Sequence, residues 1–298
     1  MGYFKAGKEK EEYVDNKETV KEISKYPFVE AKDRKVTKET CEKFGIRAGL
    51  SEKDGKTVEA YYFPSYDQKG KVVGYTKQDI TKHKTEKGHW STIGSVSISN
   101  KLFGQEQAEG VSRKRTNIIV TEGQWDMAST YQALVESVQG TKYATLEPQV
   151  VSIPLGTGNA VESLLHNEGF LKTFDAAVFF FDNDQCTPAE TKKGIMKGFE
   201  AREACAAALI DTGLSLLTVV AEGDYKDASD YLQNDNSADL AKLVQFGKRF
   251  FSTEKIIRAG DISLETILTP MEKGVMVDCF PKTMERLYGF RQKELTMV

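Results

Sequence analysis

The chain has 298 residues, of which 40% are hydrophobic and 29% are charged, a balance typical of a folded globular protein with room for two compact units. Its 41 basic and 44 acidic residues give a net charge of −3, which excludes a generally basic protein, so any surface for nucleic acid must be local. The four cysteines form no C-x-x-C pair and no apolar run is long enough to span a membrane, so we expect a cytoplasmic protein with reduced thiols.

The N-terminal region is predicted to begin with a weakly structured segment. Residues 1–30 are rich in Lys and Glu and have no strong hydrophobic period, which predicts a flexible arm or one exposed helix. Residues 36–45 have the pattern of a short helix, with Thr37 as its N-cap and Gly45 as its C-terminal stop.

A small antiparallel sheet is predicted next. Turn signals at 54–55 and at 68–70 separate apolar segments, as is typical of hairpins. We expect Pro64 at an edge or an end of its strand, because proline cannot donate a backbone hydrogen bond.

The segment 69–90 combines several lysines with aromatic residues and contains few acids. Most charge runs of this kind are solvated loops, and that explanation stays open here. The alternative is a phosphate-binding wall, in which lysines supply positive charge and aromatic rings supply stacking surfaces. The residues predicted to make such contacts are Lys77, Lys82, Lys84 and Lys87.

The most informative stretch begins at residue 116. Ile118, Ile119 and Val120 form a short apolar run typical of a buried strand, which ends at Glu122 and Gly123. A helical pattern follows. A carboxylate at the end of a buried strand, followed by a glycine turn, stands where open α/β sheets bind their ligands.

A second strand of this kind covers residues 176–181 and is followed by Asp182 and Asp184. If the two strands are parallel neighbours, Glu122 and the two aspartates meet at one edge of the sheet. A few carboxylates suffice for Mg²⁺, which takes oxygen ligands and keeps several waters. The pattern therefore predicts a magnesium site.

The remaining elements alternate between strand and helix. After the first strand and helix, the predicted strands cover 150–153, 176–181 and 216–220, and the predicted helices cover 160–166, 198–210 and 237–246. This order indicates a mainly parallel sheet with helices on both faces. The predicted fold class is therefore α/β, with an α+β N-terminal subdomain built on the antiparallel sheet.

Three further acids have two explanations each. Asp227 and Asp230 lie at a predicted helix start, where acids often only favour the helix N-terminus. Asp126 is either a support for the site or a helix N-cap. Both explanations stay open for all three residues.

These motifs resemble a known family. The residues Thr121, Glu122 and Gly123 with Asp126, followed by D-N-D at 182–184, resemble the TOPRIM domain that bacterial-type primases, topoisomerases and certain nucleases share. The closer resemblance is to the primase part of phage primase–helicases and their mitochondrial relatives, over roughly residues 30 to 298. The further stretches that support it are 37–45, 101–104 and 226–230.

The resemblance implies a domain layout. It suggests a flexible arm at 1–30, a basic N-terminal subdomain of a primase core at 31–110, a TOPRIM domain at 111–250, and a linker with the start of a truncated helicase domain at 251–298. Two features depart from the family pattern: residues 185–197 intervene before the glycine at 198, and the N-terminal Cys₄ zinc module is missing.

The resemblance also implies an activity. It predicts a Mg²⁺- or Mn²⁺-dependent DNA primase that makes short RNA primers from ribonucleoside triphosphates on a single-stranded DNA template, in the cytoplasm of a phage-infected bacterial cell. The implied partners are a replicative helicase domain in the same parent chain and a DNA polymerase. The alternatives are a catalytically silent, single-stranded-DNA-binding module that supports a helicase, and a TOPRIM nuclease.

The implied roles of the residues follow the motifs. Glu122, Asp182 and Asp184 would be metal ligands and catalytic groups, and Lys77 would be catalytic through the incoming nucleotide. The residues expected to support the site are Gly123, Asp126, Asp227 and Asp230.

Overall fold

A computed structural model of the chain describes residues 19–110 and 116–251, which belong to one compact unit that ends at Phe251. The predictions for 1–18 and 252–298, including the linker and the helicase start, lie outside the described residues. Within the described ranges, no helix has both the length and the apolar content that crossing a membrane requires.

The helices and strands are α1 (Val20–Ile23), α2 (Lys38–Lys43), β1 (Arg47–Leu50), β2 (Val58–Tyr66), β3 (Val72–Asp79), β4 (Trp90–Gly94), α3 (Gln105–Glu109), β5 (Asn117–Thr121), α4 (Gln124–Val138), β6 (Val150–Ser152), α5 (Ala160–His166), α6 (Glu168–Leu171), β7 (Ala176–Phe180), α7 (Pro188–Lys192), α8 (Gly198–Ala208), β8 (Ser215–Thr218), α9 (Ala228–Gln233), α10 (Ser237–Phe246) and β9 (Arg249–Phe250). Short 3-10 turns lie at Thr157–Asn159 and Ile210–Thr212.

The N-terminal sheet is antiparallel, with the strand order β1-β2-β3-β4. Both predicted turns are present, and Gly55 and Gly70 adopt the left-handed backbone that such turns require, with φ of +64° and +81°. Pro64 departs from its prediction, because it lies within the inner strand β2 rather than at an edge or end. Its missing N–H costs little there, since the pairing with β1 stops at Tyr62.

Residues 19–30 also depart from the prediction of a loose arm. Thr19 and Glu22 form a capping box at the start of α1, and Ile23 is fully buried. Ile23 packs with Tyr62 and Tyr75 on the outer face of the antiparallel sheet. This part of the N-terminal region is therefore part of the folded unit.

The second sheet has the strand order β6-β5-β7-β8-β9 and is parallel except for β9. Successive residues of β5 face opposite sides: Ile118 and Val120 pack with α5, α6 and α8, whereas Ile119 packs with α4, α9 and α10. The predicted mainly parallel sheet, covered by helices on both faces, is confirmed.

The first turn of α4 joins the two sheets. Trp125 is buried and packs edge-on against Tyr61 and Phe63 of β2, with ring centroids 4.9 Å and 5.0 Å away. Its indole N–H donates a hydrogen bond to Gln78 Oε1 of β3 at 2.7 Å. Because α4 starts directly after Glu122, this contact holds the antiparallel sheet over the carboxyl end of β5.

Candidate active site

The three predicted acids lie at neighbouring strand ends. Glu122 follows β5, and Asp182 and Asp184 follow β7, which pairs with β5 in parallel up to its last residues. Between these strand ends and the antiparallel sheet lies a cleft of about 290 Å³. We call it the acidic cleft; its walls include Glu122, Asp126, Asp182 and Lys226 on one side and Lys84, His89 and Trp90 on the other.

The surroundings of Glu122 strongly raise the pKa of its carboxyl group. Burial, followed by the charges of Asp182 and Asp184, raises the pKa of Glu122 from 4.5 to about 8, against a smaller opposite effect of Lys226. Its Oε2 atom is buried and has no hydrogen-bond partner within the described residues. A carboxyl group in this state is protonated at neutral pH and ready to exchange its proton for a cation.

Asp182 is paired with a lysine that we did not assign to the site. The ammonium of Lys226 lies 2.8 Å from Asp182 Oδ2. Burial raises the pKa of Asp182 even so. Although burial alone would lower it, the pKa of Lys226 is raised by its hydrogen bond to Asp182 and by the nearby Asp227 and Asp184. A cation therefore already occupies one side of the Asp182 carboxylate.

Asp184 belongs to the acidic cluster and also makes hydrogen bonds that hold the fold. Its Oδ1 accepts the backbone N–H of Gly198 at 3.0 Å, and its carbonyl accepts the N–H of Phe199 at 3.0 Å, so it caps the start of α8. A Cβ on Gly198 would lie 2.2 Å from the Asp182 carbonyl oxygen, so only glycine fits this approach. One oxygen of Asp184 is therefore engaged by the fold, and its role as a metal ligand stays a prediction.

Segment 185–197 is a loop closed at its base, since the residues on either side of it, Asp184 and Gly198, are hydrogen-bonded to each other. It contains α7, which begins with a capping box between Thr187 and Glu190. The hydroxyl of Thr157 donates to the Met196 carbonyl at 2.8 Å and fastens the loop to the turn after β6.

Asp126 links α4 to α9. Its Oδ1 accepts the backbone N–H of Ser229 at 3.0 Å across the cleft floor. Burial, followed by the charges of Asp227 and Asp182, raises its pKa well above the ordinary value. Gly123 leaves room for this carboxylate, because a Cβ there would lie 2.5 Å from Asp126 Oδ2. This bond between the first turns of two helices favours a support role over a simple helix cap.

Asp227 and Asp230 form the start of α9. Asp227 accepts the N–H of Asp230 at 2.8 Å, and Asp230 accepts the N–H of Lys226 at 3.1 Å. These contacts agree with the explanation that the two acids stabilise the N-terminus of a helix. The bond from the Lys226 N–H to Asp230 fixes the backbone of Lys226, whose ammonium reaches Asp182, and Asp227 holds Asp230 in turn.

The predicted lysines lie in different places. Lys77 pairs with Tyr62 across the strands and its ammonium lies 5.4 Å from the Tyr62 ring centroid, in a separate cavity of about 630 Å³ on the outer face of the sheet. Because side chains alternate along a strand, Gln78 and not Lys77 faces the acidic cleft. The structure does not bring Lys77 together with the acids, and the expected catalytic contact there is not supported.

The other three lysines belong to the turn between β3 and β4. Lys84 lines the acidic cleft, as a phosphate-binding residue would. Lys82 pairs with Asp79 at 3.4 Å. Lys87 is exposed and does not line the cleft. Of the four lysines predicted to bind phosphate, Lys84 lines the same cleft as Glu122 and Asp182.

The cleft residues that the sequence did not reveal include Arg34, Gln78 and Lys226. Lys226 had a usable signal, because it directly precedes the Asp227 motif. Arg34 stands over the Trp125 ring, 5.9 Å from its centroid, and no local pattern indicated that contact. Gln78 can be assigned to the cleft only when it is known which face of β3 is turned towards the acids.

The side chains of the acidic cleft offer a limited set of ligands to a divalent cation. Among the described residues, no group of three or more Asp, Glu, His or Cys side chains is arranged so that it could hold a metal ion as it stands. The chemistry nevertheless fits, because Glu122 presents a buried oxygen without a partner and Asp182 already binds a positive charge. Mg²⁺ needs only one or two carboxylates when waters and substrate phosphates complete its shell.

The fold is similar to that of solved primase structures. No protein-family model matches the chain, and no curated protein matches it. The primase fragment of the bacteriophage T7 primase–helicase aligns with a TM-score of 0.53 and 22% identity, over 73% of this chain and 74% of that chain.

Two further solved structures agree with this result. A chain from the complex of bacteriophage T7 lagging-strand DNA polymerase with primase domains of two gp4 subunits, bound to an RNA/DNA hybrid and dTTP, aligns with a TM-score of 0.50 and 23% identity, over 71% of this chain and 88% of that chain. The zinc-binding and RNA polymerase domains of Aquifex aeolicus primase align with a TM-score of 0.51 and 14% identity, over 74% of this chain and 55% of that chain. The chain therefore has the α/β fold of these primase fragments, which confirms the predicted fold.

Proposed function

We propose that this chain is the catalytic core of a DNA primase, a nucleotidyltransferase that uses Mg²⁺ or Mn²⁺ to join ribonucleoside triphosphates into short RNA primers on a single-stranded DNA template. The observation that carries the proposal is the buried Glu122 oxygen beside Asp182, which has no hydrogen-bond partner in the described part of the chain and lies at adjacent strand ends of a primase-type fold. Glu122 and Asp182 would hold the cation, and the remaining oxygen of Asp184 would add charge to the same edge.

The chemistry requires both charge and position. A bound divalent cation stabilises the attacking and leaving oxygens during phosphoryl transfer. In this site Asp126 ties α4 to α9, Asp230 accepts the backbone N–H of Lys226, and Asp227 accepts that of Asp230. With a cation on Asp182, the ammonium of Lys226 would be available to a triphosphate, and Lys84 lines the opposite wall.

Glu122 makes this activity dependent on pH. With a pKa of about 8, it must lose a proton before it can act as a ligand. Cation affinity and primer synthesis should therefore rise as the pH increases towards 8. Burial and the two aspartates are the physical causes of this dependence.

Other parts of the proposal concern the whole protein. They are a primase-core subdomain at 31–110, a TOPRIM domain at 111–250, a helicase domain in the same parent chain, a DNA polymerase as partner, and a cytoplasmic location. Lys77, Lys82 and Lys87 are proposed to contact nucleic acid outside the acidic cleft.

A second candidate is a binding module without catalysis. The observation that favours it is the Lys226 ammonium, which already neutralises Asp182, together with the Asp184 oxygen that caps α8. An acidic cluster balanced by a lysine does not require a metal ion for its stability. Such a module would bind single-stranded DNA and support a helicase.

One assay separates these functions. The protein is incubated with single-stranded DNA templates, labelled ribonucleoside triphosphates and Mg²⁺ or Mn²⁺. We expect oligoribonucleotide products from the wild type, a loss of at least 100-fold in Asp182→Asn, and normal synthesis in Asp211→Asn, which changes an exposed acid in the turn before β8. Binding without product would favour the silent module, cleaved template would favour a nuclease, and activity in Asp182→Asn would refute the site.

A further inference from the structure

Trp90 is the largest exposed aromatic side chain of the acidic cleft. It lies at the start of β4, lines the cleft, and leaves 45% of its surface exposed. The chain contains two tryptophans, and the other, Trp125, is only 4% exposed. A broad ring thus stands at the site whose floor carries Glu122 and Asp182.

The ring of Trp90 is supported from behind. Its centroid lies 6.0 Å from that of Phe63, with the planes inclined by 35°, and 5.9 Å from that of His89, which meets it edge-on. In the sheet, Trp90 pairs with Gln78, so both side chains point to the cleft. These contacts fix the orientation of the ring while leaving surface available for a ligand.

A chain of hydrogen bonds anchors this support. The Trp125 indole donates to Gln78 Oε1 at 2.7 Å, and the Gln78 amide nitrogen lies 3.2 Å from His89 Nε2. His89 Nδ1 lies 3.0 Å from the Lys82 carbonyl oxygen, which can only accept, so Nδ1 carries the proton and Nε2 accepts from the amide. The wall that holds Trp90 is therefore tied to α4, directly after Glu122.

The surroundings match the parts of a nucleotide. Lys84 and Lys226 supply positive charge for phosphates, and Glu122 and Asp182 supply carboxylates for a cation. An aromatic ring binds a nucleobase by stacking, which is tolerant of sequence because each base has a π-face. A cleft of about 290 Å³ has the volume of a small-ligand site.

We propose that Trp90 is the stacking platform for a nucleobase in the acidic cleft. The inference rests on the proposed function, because the acids and lysines around the ring are those of the primase site. The base belongs either to an incoming nucleoside triphosphate or to the template strand. Stacking on a ring held in place by Phe63 and His89 would orient the base relative to the carboxylates.

The first test uses intrinsic fluorescence. Trp90 is the exposed one of the two tryptophans, so a stacked base should quench its emission. The probes are ATP with Mg²⁺, inorganic triphosphate with Mg²⁺, and an oligothymidylate compared with an abasic strand of the same length. We expect quenching by the probes that carry bases and none by triphosphate or the abasic strand. Quenching by ATP alone identifies the nucleotide base, and quenching by the oligonucleotide alone identifies the template base.

The second test uses substitutions. Trp90→Leu should weaken binding of the responding probe about 10-fold, equivalent to about 1.4 kcal/mol, and raise its KM similarly with little change in kcat. Trp90→Phe keeps an aromatic face and should restore binding to within about 3-fold. Tyr143→Leu removes a distant aromatic ring that is 49% exposed and should change nothing. Thermal unfolding checks that each variant is folded.

The outcomes separate this inference from the proposed function. Wild-type binding in Trp90→Leu, or equal quenching by the abasic strand, overturns the role of Trp90 while leaving primer synthesis intact. Base-dependent quenching in the wild type, together with calorimetric binding of the same probe that Trp90→Leu weakens and Trp90→Phe restores, in a protein that makes no primers, supports the stacking platform and rejects the primase activity.

Discussion

Glu122→Gln offers the sharpest test of the acidic cluster. The folded protein holds the Glu122 proton up to a pH of about 8, whereas the ordinary pKa is 4.5. Between these values the folded state binds one proton more than the unfolded state, so stability falls as the pH rises. The slope is about 1.4 kcal/mol per pH unit, and roughly 5 kcal/mol is lost in total. Gln carries no charge and removes this contribution.

The assay is urea unfolding at pH 6, 7, 8 and 9 in the absence of divalent cations. The stability of Glu122→Gln relative to the wild type should increase up to about pH 8 and then level off. Taking the difference between the two proteins cancels the titrations of groups that do not interact with Glu122. Glu162→Gln, an exposed substitution on α5, serves as the control and should follow the wild type at each pH. Parallel curves for Glu122→Gln and the wild type would refute the assigned pKa and its cause.

The same variant tests the link to the cation. A ligand present at 100 times its Kd stabilises the folded state by about 2.7 kcal/mol. Mn²⁺ should therefore stabilise the wild type more at pH 8 than at pH 6, because Glu122 must release its proton on binding. In Glu122→Gln the stabilisation should be smaller and independent of pH. An unchanged response to Mn²⁺ would show that Glu122 is not a ligand.

Three further predictions concern the neighbours of the acids. Lys226→Gln should increase the affinity for Mn²⁺ in calorimetry at pH 8, because no ammonium competes for Asp182; a lower affinity would show that the lysine supports the ion. Gly198→Ala should cost about 2 kcal/mol or more in chemical unfolding and abolish primer synthesis, because its Cβ would meet the Asp182 carbonyl at 2.2 Å, whereas Gly169→Ala has open space and should not destabilise. Lys84→Gln should raise the nucleotide KM several-fold while Lys77→Gln leaves it within 2-fold, and the reverse order would contradict the assignment of the cleft wall.

The alternation of the second sheet could be predicted from the sequence, because its strands and helices differ in hydrophobic period. The bounds of α5 and α10 agree with the predicted 160–166 and 237–246, and the two acidic strand ends are neighbours as expected. These features depend on local pattern and on the rule that parallel strands end at one edge. Both are available from a single chain.

The position of Lys77 could not be predicted, because each face of β3 carries a buried residue. Tyr75 is covered by Ile23 of α1, and Gln78 is covered by Trp125, so the strand lacks the clear polar and apolar alternation that would reveal its orientation. The ion pair between Lys226 and Asp182 had a similar obstacle. It depends on how two distant loops meet, and no spacing within either loop encodes that meeting.

The hydrogen bond that closes segment 185–197 should make the geometry of the acidic cluster independent of the length of that segment. Because Asp184 and Gly198 meet at its base, we expect that residues can be inserted into or removed from the loop without displacing Asp182. The entropic penalty of a longer loop grows slowly, by about 0.6 kcal/mol for each doubling. We therefore expect that the loop can be exchanged for a segment of different size, such as a fluorescent tag, without a shift in the position of the Asp182 carboxylate.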